Sequence, residues 1–118
     1  MFYRRQRGRS VLAGKGISLL AFALCTSSVF AQVPTTRQAE LVHLVRQDCG
    51  SCHGLTLRGG LGPSLESRSL QRFTPELLAA TILQGRPSTP MPPFKGILTE
   101  PEARWIAEQL LGGFPEAP

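Results

Sequence analysis

Five consecutive residues carry the densest chemistry in the chain: Cys49, Gly50, Ser51, Cys52 and His53. Two thiols stand three positions apart, an imidazole follows at once, and the spacers are small. A thioredoxin-like dithiol uses such a pair, but it needs a βαβ setting, and no strand pattern surrounds these residues. A structural zinc site needs four ligands. The chain's only other histidine, His43, lies six residues before Cys49 on a predicted helix and reads as a solvent-facing residue. A disulfide between Cys49 and Cys52 would close a very small loop and stabilise little. The remaining chemistry is covalent attachment of haem c, for which C-x-x-C-H is the signature. Two thiols at the end of a helix can add across the two vinyl groups of one porphyrin. The next residue, His53, is then swung beneath the iron as its proximal ligand. Gly50 and Ser51 let the turn lie close to the ring.

An iron held by one histidine has an open face. Met91, His43 and Lys95 are the candidates for it. Met91 sits in Thr89-Pro90-Met91-Pro92-Pro93-Phe94, 38 residues after His53. The prolines fix φ and force their predecessors into extended conformations, so the side chain is presented from a stiff loop. A thioether is a soft ligand that favours Fe(II) and raises the reduction potential. Met91 is the expected distal ligand. On the proximal side, a ligating histidine donates its other N–H to a carbonyl or carboxylate. The Gly59-Gly60-Leu61-Gly62-Pro63 stretch could supply such a carbonyl, Pro63 by position; an ordinary Gly/Pro turn would read the same way.

Three helices must position these groups. The first begins near Thr35-Thr36, where either hydroxyl could cap, and carries Leu41, Val45 and Cys49 as one stripe. The second begins at Thr74-Pro75, a cap followed by proline at the first helical position. It runs through Leu77, Leu78, Ile82 and Leu83 to Gly85. The third begins at Thr99-Glu100-Pro101-Glu102, a capping box, with Ala103, Ile106, Ala107 and Leu110 as its stripe and Gly112-Gly113 as its end. Residues 54–73 and 86–98 read as long irregular loops, the kind that carry function or wrap something. The expected fold is all-α.

The 118-residue chain has a formal charge of +5 and a pI near 9.9, which would ordinarily suggest nucleic acid. The location of the charge removes that reading. Arg4, Arg5, Arg7, Arg9 and Lys15 precede an apolar run over 17–30 that ends in Ser28-Val29-Phe30-Ala31. A basic segment, a short apolar segment and small residues at a cleavage site make a secretory signal peptide. The run is too short and too interrupted for a membrane span, which needs ~20 apolar residues. Residues 1–31 are expected to be cleaved, with 32–118 as one domain in the periplasm and no stable membrane insertion. In that domain Arg37, Arg46, Arg58, Arg68, Arg72, Arg86, Lys95 and Arg104 balance Glu40, Asp48, Glu66, Glu76, Glu100, Glu102, Glu108 and Glu116. No nucleic-acid partner is expected. The 87 residues that remain, with Phe73, Phe94, Phe114 and Trp105 as the only aromatics, make a thin core that a cofactor would complete.

The order of helix, CxxCH, Gly-Pro loop, helix, Pro-flanked methionine and C-terminal helix with an aromatic resembles a class I cytochrome c across residues 35–112. The resemblance implies three main helices and long loops wrapped around one covalent haem and its iron. It implies that Cys49 and Cys52 form the thioethers, that Pro63 O accepts from His53, and that Met91 is the distal ligand. It also implies that the first and last helices cross, here through Leu41, Val42 and Val45 against Trp105, Ile106 and Leu110. The first helix lacks the aromatic often found at that crossing. Arg58-Gly59-Gly60 and Gly85-Arg86-Pro87 are narrower features. They are similar to those of the small periplasmic cytochromes c encoded with the haem c/haem d nitrite reductase of denitrifying bacteria.

The expected function is therefore single-electron transport to nitrite reductase from an upstream donor. An accessory role in maturing that enzyme's haem is the alternative. Enzymatic activity is not expected, because a peroxidase needs an open iron and a distal acid–base group, and no histidine or carboxylate lies near Met91 in sequence. Residues 54–98 hold five bases and two acids. They make either a basic rim that steers an acidic partner or a set of scattered solvated charges.

Overall fold

The computed structural model of the protein describes residues 32–115. The signal-peptide reading of residues 1–31 lies outside them. The described residues contain helices and no strand, as expected for an all-α chain. No helix among them is long and apolar enough to cross a membrane.

The first helix, α1 (Thr35–Leu44), continues into a π-helical turn (Val45–Cys49) and then into α2 (Gly50–His53). The backbone stays right-handed at Leu44, Val45, Cys49 and Gly50, so the three segments form one rod. The rod buries Leu41 and Val45 completely and Cys49 partly, the stripe read from the sequence. The π-turn itself was not expected. It inserts one extra residue into the helical period, a feature that concentrates at functional sites, and it lies directly before the CxxCH segment. The start of α1 also differs. Pro34, extended at φ −59° and ψ 147°, occupies the N-cap, and no side chain caps the helix. Thr35 is already helical. Gln38 closes the entry instead, its N–H donating to Pro34 O and its side-chain amide to Val33 O.

The second and third predicted helices form as read. In α4 (Pro75–Gln84) the Thr74 hydroxyl accepts from the Leu77 N–H, and Gly85 at φ 66° ends the helix. In α5 (Glu100–Gly112) Thr99 and Glu102 make the reciprocal capping box, and Gly113 at φ 95° follows the last turn. All four residues of the α5 stripe, Ala103, Ile106, Ala107 and Leu110, are buried. A further single turn, α3 (Ser67–Leu70), falls within the stretch expected to be irregular. One turn is too short to show a period. Its place comes from burial of Leu70 and from the Ser67 hydroxyl donating to Leu111 O at 2.6 Å.

The core joins α1, α4 and α5. Leu41 and Val45 share one buried cluster with Ile106 and Leu110, while Val42 and Trp105 stay half-buried at its margin. The most extensive helix pairing is α4 against α5. The first and last helices are tied further by Arg37, whose Nε lies 2.5 Å from Glu102 Oε1. Arg46 adds a second tie, its guanidinium donating to Pro115 O and lying over the Phe114 ring.

Candidate haem site

The π-turn delivers Cys49, and α2 delivers Cys52 and His53. The rod stops because Gly54 turns to φ 86°, where a Cβ would stand 2.5 Å from Gly59 O. The loop after it folds back on the helix end. The Gly59 N–H donates to His53 O at 2.8 Å and the Gly62 N–H to Cys52 O at 2.9 Å. Two carbonyls that a helix C-terminus leaves without partners are thereby satisfied. The same fold brings His53 Nδ1 to 2.7 Å from Pro63 O. A carbonyl only accepts, so Nδ1 carries the proton in this bond, which leaves Nε2 as the nitrogen a neutral ring would offer to a metal. The loop lies so close that a Cβ on Gly62 would come within 2.7 Å of His53 Cε1. Only glycine fits against the ring there.

Cys49 and Cys52 are free thiols. Burial, reinforced by the neighbouring charge of Asp48, pushes the Cys49 thiol up to about 11, so it is neutral at physiological pH. Among the described residues no group of three or more histidines, cysteines and carboxylates is gathered as it would be around a metal ion.

Met91 stands on a separate loop pinned to the end of α4. The Arg86 N–H donates to Met91 O at 3.2 Å. Beyond it, the Phe94 and Lys95 N–H groups donate to Ile82 O and Leu83 O, both at 3.1 Å. Gly85 is the hinge of this closure: a Cβ there would stand 2.7 Å from Met91 O and from the Pro92 carbonyl carbon. The Met91 side chain is half-buried, whereas His43 and Lys95 are exposed. The close approaches of Gly62 and Gly85 had no signature in the sequence beyond membership of Gly/Pro-rich stretches.

The donors present fit a haem: two free thiols at the required spacing, an imidazole with one nitrogen already held, and a thioether on a stiff loop. The uncovered apolar surface fits as well. Leu61 is 95% exposed, Leu55 68% and Ile97 61%. The first two belong to the loop that wraps His53, and Ile97 follows the Met91 segment.

The family model described as cytochrome c oxidase, cbb3-type, subunit III matches residues 36–109. Cytochrome c55X of Pseudomonas aeruginosa is 56% identical over 77 residues, a match that spans 65% of this chain and 65% of that protein. Cytochrome c55X of Stutzerimonas stutzeri is 40% identical over 108 residues, covering 92% of this chain and 96% of that one. Among solved structures, the c-type cytochrome NirC superposes with a TM-score of 0.66 at 51% identity, over 68% of this chain and 94% of that one. The CxxC-spaced cysteines, the all-helical fold and these matches agree, and the chain belongs to the cytochrome c family described as cytochrome c oxidase, cbb3-type, subunit III, as a small monohaem electron carrier.

Proposed function

We propose that Cys49 and Cys52 hold one haem c by thioethers, that His53 and Met91 are its axial ligands, and that the protein carries single electrons to nitrite reductase in the periplasm. The observation that carries the reading is the 2.7 Å approach of His53 Nδ1 to Pro63 O. A ligating histidine needs such a partner to fix its tautomer and ring plane, and this chain builds a glycine-lined loop to supply it. When bound, the haem supplies reversible one-electron exchange at iron. The protein's residues set the conditions. Pro63 O orients the imidazole and makes it a stronger donor. The Met91 thioether favours Fe(II) and raises the potential. With His53 and Met91 both holding the iron, no open position would be left for a substrate, which suits a carrier.

Nitrite reductase as partner rests on the likeness to the cytochromes encoded with it and on the relatives named cytochrome c55X and NirC. The charge layout supports a protein acceptor. Arg58 and Arg68 both pair with Glu66, and Arg104 pairs with Glu76 and Glu108. Among the described residues Arg86 and Lys95 have no carboxylate within ion-pair distance, and both flank Met91. The leader over residues 1–31 directs export.

The test is a redox titration of the mature protein with visible spectra, followed by stopped-flow mixing of its reduced form with nitrite reductase. Rapid oxidation on mixing supports the carrier. If a deletion strain makes nitrite reductase without its haem d, the maturation role replaces it.

A further inference from the structure

The backbone that presents Met91 has little packing behind it. Arg86, Pro87, Ser88, Thr89 and Pro90 are all exposed, so hydrogen bonds rather than burial must fix its shape. Those bonds converge on one hydroxyl. Thr89 Oγ1 donates to Arg86 O at 2.7 Å and accepts the Met91 N–H at 3.3 Å. The Thr89 N–H also donates to Arg86 O, at 3.1 Å. Met91 O in turn accepts the Arg86 N–H at 3.2 Å. Residues 86 and 91 are thus joined twice, once directly and once through the Thr89 side chain.

The turn inside this ring is strained. Ser88 adopts φ 63°, a left-handed conformation that a side chain disfavours. Pro87 before it and the bond from Thr89 N to Arg86 O fit a type II turn, whose third position usually holds glycine. A turn carrying that cost persists only where surrounding contacts hold it. Beside the two backbone bonds that close it, the side-chain contact that spans it is the Thr89 hydroxyl.

We propose that Thr89 is a positioning residue for Met91, its hydroxyl bracing the loop so that the thioether is held toward the distal iron position. The inference rests on the reading of Met91 as distal ligand. It needs a group that donates and accepts at once: threonine and serine qualify, valine and alanine do not.

The experiment is imidazole titration of the ferric holoprotein, with the methionine–iron charge-transfer band as a second readout. Imidazole competes with Met91, so its affinity reports how firmly the thioether is held. Thr89→Val keeps the side-chain shape and removes both bonds. It is expected to bind imidazole about tenfold more tightly, equivalent to about 1.4 kcal/mol, with a weaker charge-transfer band and a lower potential. Thr89→Ser is expected to restore all three. Should the valine variant fail to fold by circular dichroism, Thr89→Ala serves in its place with the same expectation. Parental imidazole affinity and a full band in the valine or alanine variant overturn the brace. Absence of the band from the parent protein overturns the Met91 assignment itself, and the brace with it.

Discussion

His53 Nδ1 and the carbonyl oxygen of Pro63 lie 2.7 Å apart, joining the end of the CxxCH helix to a loop residue ten positions downstream. Neither partner is free to move. His53 is the last residue of α2, and Pro63 follows a glycine whose N–H is bonded to Cys52 O. The hydrogen bond that orients the imidazole therefore comes from backbone, not from a side chain.

That relationship makes Gly62 sensitive. A methyl group in Gly62→Ala would meet His53 Cε1 at 2.7 Å and Nδ1 at 2.8 Å, so the ring must rotate away from Pro63. Overpacking of this kind costs about 1–3 kcal/mol. The holoprotein variant is expected to melt earlier in urea, with shifted His53 ring-proton resonances in its NMR spectrum. Unshifted resonances would show that the ring does not depend on the loop.

Gly85 has the same importance on the other loop. Its φ of 66° is left-handed, and the atoms a Cβ would meet are the backbone of Met91 and Pro92, which cannot swing aside. Gly85→Ala is expected to cost about 1–3 kcal/mol and to weaken the methionine–iron band. Loss of stability with the band intact would assign Gly85 to the α4 end alone.

Acid should loosen the join between α1 and α5. Glu102 accepts from the Thr99 N–H and hydroxyl and pairs with Arg37. The bond from the Thr99 backbone, followed by that from Arg37, holds its carboxyl below the ordinary glutamate value of 4.5. A depressed value means the unfolded chain takes up the proton first. The stabilisation is thus fully present above about 4.5 and is lost as pH falls through the lower folded value. Glu102→Gln keeps an acceptor for the capping box but loses the charge that faces Arg37, and should cost up to about 1 kcal/mol at neutral pH. The difference from the parent should vanish in acid. Urea melts of both proteins across that range measure it, and a difference independent of pH would contradict the ion-pair and cap account.

Arg86 and Lys95 flank Met91 without carboxylate partners among the described residues, and both are exposed. Reversing both, Arg86→Glu with Lys95→Glu, is expected to slow association with nitrite reductase by about tenfold at low salt, within the usual range of electrostatic steering. The parent rate should fall as salt rises, since screening acts over about 8–10 Å. A flat salt dependence in the parent would leave the two cations without a docking role.

Much of this was legible in local sequence. Thr74-Pro75 and Thr99 with Glu102 cap their helices within three residues of themselves, and the α5 stripe repeats often enough to declare its face. Pro34 displaced the expected threonine cap because its fixed φ already set the extended entry to α1. The α3 turn has no signature in the sequence because four residues show no period; a hydroxyl reaching Leu111 and one buried leucine define it.

The sequence by itself determined the chemistry: two thiols, an imidazole and a stiffly mounted thioether, at spacings that admit few uses. Only the tertiary structure decided how those groups are held. It placed a π-turn before Cys49, made Gly54, Gly62 and Gly85 glycines that must stay bare, and gave Arg86 and Met91 a second link through Thr89. The physical reason is range. Capping and periodicity are interactions among near neighbours, whereas close approach and bond closure depend on where a folded loop comes to rest.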